Sequence, residues 1–231
     1  YMGVNKWRTE ADWPLPNTNY RPIYLTASAP ANSIRGGGTL SFDKPAAGKD
    51  QYRYDPQHPV DTLGGNNCCG TPTLAGPKDQ RPIERRDDVL VYTGPMLKDP
   101  LTIGGPIKMK LNASTDGPDT DWMVKLVDVY PNGFAMPVAE GILRARFRNG
   151  LDKPVLLTPN TTYEFTVDLV GTANTFLPGH RLRIDITSSN FPQFDRNPNT
   201  GEPLGSATKT RVALQTIQHG SHLILPVVNN P

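Results

Sequence analysis

The sequence predicts an all-β protein, built as a two-sheet sandwich or a jelly roll. Apolar residues repeat with period two almost wherever they repeat at all, which is typical of strands that send alternate side chains into a core. The 231 residues include 21 glycines and 24 prolines, about a fifth of the chain against an average of roughly 12%, so long helices are excluded. Strands without crossover helices bury their apolar faces against one another.

About ten short strands are predicted between turn signals such as Pro178-Gly179. The clearest alternation lies at residues 107–113, 163–169 and 182–187. Each has polar residues on its other face, so we expect sheets with one solvent-exposed side. The full set in chain order is 23–26, 39–42, 89–92, 107–113, 123–130, 141–147, 163–169, 182–187, 212–217 and 222–225.

Residues 43–86 interrupt this pattern. The segment is long, rich in Gly, Pro and Asn, and weak in periodicity. Connections of that length in a compact domain are usually functional or disordered. We therefore predict an irregular loop with a functional role, and we see no internal repeat or domain linker elsewhere.

Composition excludes two classes of partner. Hydrophobic residues at 36% provide a core, and the 24 basic and 22 acidic residues are interleaved. No basic stripe of the kind that binds nucleic acid is formed. The longest apolar stretch, residues 221–228, is far shorter than the ~20 residues that cross a bilayer. We expect neither nucleic acid nor membrane as a partner.

The ends and the cysteines say little about location. Residues 1–8 lack the basic, apolar and small-residue succession of a secretory signal and begin without methionine, so we expect a piece of a longer polypeptide, of undetermined compartment. The only cysteines, Cys68 and Cys69, are neighbours and form no disulfide framework. Two free thiols are favoured over a strained vicinal disulfide.

Catalytic and metal motifs are weak. No serine has glycine two residues away on both sides, so the nucleophile elbow of α/β-hydrolases is missing. His58 and His180 lie in loop or turn sequence. His219 and His222 are three residues apart, and in an extended segment they point to opposite faces, which disfavours a shared zinc ion.

Three other groups have both a functional and a structural interpretation. The carboxylates in residues 116–121 suggest calcium, but the spacing departs from an EF-hand, and a turn that caps the next strand is favoured. Arg144, Arg146 and Arg148 are predicted to share one strand face and to pair with carboxylates in preference to binding an anion. The tryptophans are more ordinary as core or interface anchors than as a sugar platform; they are Trp7, Trp13 and Trp122.

Several segments resemble, in family order, the C-terminal domain shared by cocaine esterases, α-amino acid ester hydrolases, related glutaryl acylases and X-prolyl dipeptidyl aminopeptidases. The most specific is Asp79-Gln80-Arg81-Pro82-Ile83 followed by residues 86–90. Together the matching segments span nearly the whole chain. The others are residues 119–121, 125–129, 140–148, 176–181, 188–192 and 197–201.

This resemblance implies a jelly-roll domain of the galactose-binding-like kind over residues 15–231, with residues 1–14 as the linker from a missing α/β-hydrolase domain that carries a Ser-His-Asp triad. None of the four histidines matches the catalytic histidine of the family. We therefore expect no catalytic residue, no cofactor and no metal in this chain. The implied partners are its own upstream catalytic domain and, in the parent protein, a small ester or amide substrate.

The resemblance also implies a pocket. In the family a jelly-roll loop supplies apolar side chains to the acyl pocket, and residues 64–79 occupy that place here. Asn67, Cys68 and Cys69 replace bulkier apolar residues, so we expect them to line a smaller and more polar pocket wall that accepts a different acyl group.

Three functions follow. The first is an accessory, non-catalytic domain that covers the active site of a serine ester or amide hydrolase and exposes an apolar patch near Trp7, Trp13 and residues 64–80 when isolated. The second is a free-standing carbohydrate-binding module that uses calcium. The third is a structural oligomerisation module, for which no motif is needed.

Overall fold

The computed structural model describes residues 1–67, 75–203 and 205–228. Eleven strands dominate, accompanied by one short helix, α1 (Arg81–Glu84), and a 3₁₀ turn at Ala145–Phe147. None of the helices in these ranges is long and apolar enough to cross a membrane. The strands are β1 (Thr18–Ala27), β2 (Gly38–Ser41), β3 (Lys49–Tyr54), β4 (Leu90–Thr93), β5 (Leu101–Thr115), β6 (Asp121–Val129), β7 (Ala135–Arg144), β8 (Tyr163–Phe176), β9 (Arg181–Thr187), β10 (Ala213–Gln218) and β11 (His222–Val228).

The strands form two layers. In the first layer β5 pairs with β8 on one side and with β10 and β11 on the other, and β3, β1 and β2 extend it. The second layer has the order β4-β9-β6-β7. A single parallel pair, Thr39 opposite Thr93, joins the layers between β2 and β4. The predicted all-β sandwich is confirmed.

One continuous core fills the space between the layers. Met109 and Leu111 of β5 belong to the same cluster of buried side chains as Trp122 and Val124 of β6. The ring of Trp122 lies 5.5 Å from that of Phe165 in β8. Because both layers contribute their alternate residues, the period-two pattern of the sequence accounts for this core.

The two layers also come close together where β7 meets β8. A Cβ added to Gly141 of β7 would lie 2.0 Å from the backbone oxygen of Asp168 in β8. No side chain fits into that space. Gly141 therefore allows the backbones of the two strands to touch at this edge of the sandwich.

The expectation that every sheet has one solvent-exposed side is only partly right. Glu164 and Thr166 of β8 are exposed, as expected. On β9, however, the alternate residues Arg183 and Asp185 are buried, because α1 covers this part of the outer face and its Glu84 pairs with Arg183. The polar side chains on this face of β9 therefore contact protein and not solvent.

The irregular segment contains more structure than predicted. Residues 49–54 form the edge strand β3, whose buried side chains include Asp50 and two tyrosines. Strand β7 begins at Ala135, six residues before its predicted start, and ends at Arg144. The prediction that Arg144, Arg146 and Arg148 share one strand face is therefore wrong, since the chain turns into the 3₁₀ helix after Arg144.

The first residues of the chain contact the sandwich. Met2 forms a parallel bridge with Asn174 of β8, and its backbone N–H donates to Ala173 O at 2.9 Å. Trp7 is fully exposed, whereas Trp13 is half exposed and lies against Gly171. The boundary between residues 14 and 15 remains a prediction.

Candidate functional site

Charged side chains are buried on the outer face of the second layer. Lys125 of β6 lies directly opposite Glu140 of β7 on one side and Asp185 of β9 on the other. Its side chain is 2% exposed, and its Nζ lies 3.5 Å from Glu140 Oε2. The two carboxyl groups therefore flank one buried ammonium group.

A second ion pair adjoins this row. Arg183 Nη1 donates to Glu84 Oε2 of α1 at 2.5 Å, and Glu84 is fully buried. The charge of Glu84 also acts on the neighbouring Asp185, whose two buried carboxyl oxygens have no hydrogen-bond partner among the described residues. The cluster thus contains three carboxyl groups and two cations, so one proton balances its charge.

Burial and neighbouring charge explain the ionisation of this cluster. Burial, followed by the Glu84 charge, raises the pKa of Asp185 well above its ordinary value. Burial also raises the pKa of Glu84, although Arg183 opposes the change. The pKa of Lys125 is lowered by burial against the attraction of Glu140 and Asp185. Burial and the Glu84 charge therefore favour the protonated form of Asp185, whose carboxyl oxygens accept no hydrogen bond among the described residues.

Gln80 connects this cluster to the loop of residues 64–79. Its fully buried side chain accepts a hydrogen bond from Lys125 Nζ at 2.9 Å. Its amide nitrogen donates to Leu63 O at 2.8 Å and to Lys78 O at 2.9 Å. These carbonyl groups belong to the two ends of the loop, which we call the neck (residues 63–65 and 76–78).

Glycines close the neck. The backbone groups of Gly65 and Gly76 exchange two hydrogen bonds, at 2.9 and 3.0 Å. Their φ angles are +89° and +94°, in the region that favours glycine. A Cβ on Gly65 would lie 2.5 Å from Glu140 Oε1, so the neck rests directly on the buried carboxylate.

A cavity of about 460 Å³ opens beside the neck. Its wall combines Met2, the neck glycines, Tyr130 and two further stretches of chain, residues 136–140 of β7 and 169–171 of β8. Most of these side chains are apolar, and Glu140 is the acidic one among them. The cavity has the size and lining of a ligand or interface pocket.

Val170 forms part of the cavity wall in an unusual conformation. Its φ angle is +65°, which is costly for a β-branched residue. The side chain is 66% exposed, and its backbone N–H donates to Asp168 Oδ1 at 2.8 Å. An exposed apolar residue in a strained conformation at a cavity supports a functional role for this face.

Of the three predicted pocket residues, the structure describes Asn67. Asn67 is partly buried, and its Nδ2 donates to Gly64 O at 2.6 Å, while its neighbour Asn66 lines the cavity. Cys68 and Cys69 fall outside the described residues. The sequence did not identify Gln80, Lys125 and Glu140 as neighbours of the loop, although Gln80 lies inside the family segment at residues 79–83.

The four histidines contact carboxylates or backbone. His180 Nδ1 lies 2.8 Å from Asp128 Oδ1, and His219 Nε2 lies 2.9 Å from Asp50 Oδ2. The exposed His58 is paired with Asp55, and the ring of His222 lies against Tyr24. Within the described ranges, none of these imidazoles hydrogen-bonds a serine hydroxyl.

The carboxylates of residues 116–121 are held by arginines. Asp119 accepts from Arg146 Nε at 2.8 Å, and Asp121 accepts from Arg144 at 2.9 and 3.0 Å. Asn197 also donates to both carboxylates. The predicted pairing with carboxylates is therefore confirmed for Arg144 and Arg146, whereas Arg148 donates to backbone carbonyl groups and lies over the ring of Tyr163. Burial raises the pKa of Asp121 to about 6 against the effect of Arg144.

The architecture defines the chain as a jelly-roll sandwich domain with an apolar cavity at one edge. It belongs to the family described as the X-Pro dipeptidyl-peptidase C-terminal non-catalytic domain, which matches residues 1–224.

Curated relatives of this chain are longer proteins. Cocaine esterase of Rhodococcus sp. (strain MB1 Bresler) is 43% identical over 234 residues, which cover 98% of this chain and 41% of that protein. A putative serine esterase of Mycobacterium bovis is 28% identical over 98% of this chain and 36% of its own length. The chain thus spans about two fifths of the curated relatives it matches.

Solved structures give the same assignment. An aminopeptidase from a marine sediment archaeon, Thaumarchaeota archaeon, superimposes with a TM-score of 0.86 at 30% identity, over 99% of this chain and 40% of that chain. An α-amino acid ester hydrolase superimposes with a TM-score of 0.79 at 33% identity, over 90% and 36% respectively.

Proposed function

We propose that this chain is the accessory C-terminal domain of a serine ester or amide hydrolase, that it packs against an upstream α/β-hydrolase domain, and that it shapes the acyl pocket without carrying the catalytic triad. Membership of a non-catalytic domain family supports the accessory role. The esterase, aminopeptidase and ester hydrolase relatives, each longer than this chain, support a hydrolase as the parent.

The observation that carries this proposal is the composition of the cavity wall. Met2 and Asn5, near the beginning of the chain, line the same cavity as the neck of the 64–79 loop. A domain that precedes residue 1 would therefore connect to the sandwich on this face. Interfaces between domains of one chain cover roughly 600 to 1,500 Å², and the exposed Val170 offers apolar area there.

The loop would set the acyl specificity of the parent enzyme. We propose that Asn67, Cys68 and Cys69 line its acyl pocket. Small and polar side chains at these positions favour an acyl group other than a bulky aromatic one, because a bulky ring would lose apolar contact with the wall.

The first experiment measures hydrolysis by the chain alone. The purified 231-residue chain is expected to fold and to leave p-nitrophenyl esters intact. Turnover that a serine-directed phosphonate abolishes would overturn the proposal, because it would place a nucleophile within this domain.

The second experiment uses the longer polypeptide. Val170→Glu introduces a charge at the cavity wall, whereas Leu151→Glu introduces the same charge at a residue that is 83% exposed and absent from that wall. We expect kcat/KM for ester hydrolysis to fall about tenfold or more in V170E and to stay unchanged in L151E. Equal activities of the two variants would contradict the proposed interface.

A further inference from the structure

We infer that Gln80 is a positioning residue: it joins both ends of the 64–79 loop to the buried charge cluster and so fixes the wall of the cavity. The wall in question consists of Gly65, Asn66, Gly76 and Pro77, all of which the structure describes.

The hydrogen bonds of Gln80 have a direction that suits this role. Its two N–H groups donate to Leu63 O and Lys78 O, which lie on opposite sides of the neck. Because one planar amide group binds both carbonyl oxygens, it holds them at a fixed separation. The Gly65–Gly76 bridge lies two residues further into the loop on each side, so the bonds from the Gln80 amide hold the chain segments that form this bridge.

The orientation of the Gln80 amide is itself fixed. Lys125 donates to its Oε1 at 2.9 Å, and an ammonium group cannot accept, so the oxygen must face Lys125 and the nitrogen must face the neck. Backbone contacts add to this, since Gln80 N–H donates to Ala135 O at the start of β7. Lys125 is held by the carboxylate of Glu140, whose Oε2 lies 3.5 Å from its Nζ.

Glu140 supports the wall from the other side. Both of its carboxylate oxygens are buried, and neither accepts a hydrogen bond from the residues that the structure describes; the ammonium group of Lys125 is its charge partner at 3.5 Å. The same carboxylate touches Gly65. Lys125 therefore fixes the neck along two routes, through Gln80 and through Glu140.

The consequence is a cavity wall with a defined position. A loop closed only by two glycines has great backbone freedom, and it would leave the cavity without a stable shape. That this wall contributes to substrate choice rests on the proposed function. That Gln80 fixes the wall does not, and it is measured on this chain alone.

The test compares two buried glutamines. Gln80→Leu removes the amide at the neck, whereas Gln215→Leu removes an equally buried amide that donates to Thr120, at another place in the fold. We expect the amide protons of Gly65 and Gly76 to exchange about tenfold faster in Q80L, after correction for global stability, and at the wild-type rate in Q215L.

A second variant separates the donors from the acceptor. Gln80→Glu keeps an oxygen for Lys125 but has no N–H for the neck carbonyl groups, and it remains available if Q80L does not fold. We expect the same faster exchange at Gly65 and Gly76. Wild-type protection in either variant would overturn the inference.

Methionine methyl groups report on the wall directly. Met2 and Met136 line the cavity, whereas Met109 is buried in the sandwich core. In Q80L and Q80E the methyl resonances of Met2 and Met136 should shift or broaden while that of Met109 stays in place. Unchanged cavity methyl groups would count against the inference, whereas the hydrolysis experiments above decide the proposed function separately.

Discussion

Asp185 shows how burial changes the chemistry of a single residue. Its unfolded-state pKa is about 3.9, and its folded pKa is raised by burial and by the neighbouring Glu84. Between these two values the folded protein binds more protons than the unfolded chain. The free energy of unfolding therefore falls as pH rises, by up to about 1.4 kcal/mol per pH unit for this group.

Replacement of Asp185 by Asn should flatten this dependence. The amide imitates the protonated acid and leaves the charges of Lys125, Arg183, Glu84 and Glu140 balanced. Urea denaturation from pH 5 to pH 8 should show a smaller loss of stability in D185N than in the wild type. The control is Asp99→Asn, at an exposed carboxylate, and curves for D185N that run parallel to the wild type would contradict the assignment.

Gly65 allows backbone strain and steric contact to be separated. Gly65 and Gly220 have nearly the same φ angle, +89° and +88°, but a Cβ at Gly65 meets Glu140 while one at Gly220 meets nothing within 4 Å. Both alanine variants should lose about 1 kcal/mol through the left-handed backbone. G65A should lose a further 1 to 3 kcal/mol, roughly, because the contact forces the carboxylate aside. Equal losses of unfolding free energy in G65A and G220A, measured by thermal or urea denaturation, would show that the Glu140 carboxylate moves aside without a loss of stability.

At the scale of elements, β6 and β7 are linked by the opposed pair Lys125 and Glu140. Removal of one partner of a buried pair leaves a charge without compensation and costs about 3 to 5 kcal/mol. We expect such a loss in Lys125→Met. The double variant K125M/E140L should lose clearly less than the sum of its single changes, and additivity in chemical denaturation would mean that the two groups do not interact.

The strands differ in how well the sequence predicts them. β5 and β8 are predicted in part: residues 107–113 and 163–169 alternate cleanly, but β5 begins six residues earlier and β8 continues seven residues further, where glycines and a proline interrupt the alternation. β3 was missed, since its buried side chains include Asp50 and tyrosines, which do not form an apolar pattern. β7 was misplaced because it contains Pro137, which an edge strand tolerates beside a bulge.

The burial of the β9 charges could not be predicted from local pattern. Arg183 and Asp185 alternate with isoleucine and leucine as they would in a strand with one face in water. Their burial depends on α1, which lies about one hundred residues earlier in the chain. For the same reason the loop was identified from its composition, while its contacts with Gln80 and Lys125 required the tertiary structure.

At the scale of the whole molecule, the single core that joins both layers predicts cooperative unfolding. Trp122 is buried between the layers, so its fluorescence reports the core, while far-ultraviolet circular dichroism reports all strands. The two signals should change together in one transition. Separate midpoints for the two signals would indicate that the two layers unfold independently.

The contact between Gly141 and Asp168 has a consequence for how this fold can diversify. Residues 136–140 of β7 and residues 169–171 of β8 directly adjoin that contact in sequence, and both stretches line the cavity. A methyl group at residue 141 would push these two strands apart and so widen the cavity, although residue 141 does not line it. Substitutions at residue 141 would thus change the width of the cavity while the residues that contact a ligand stay the same.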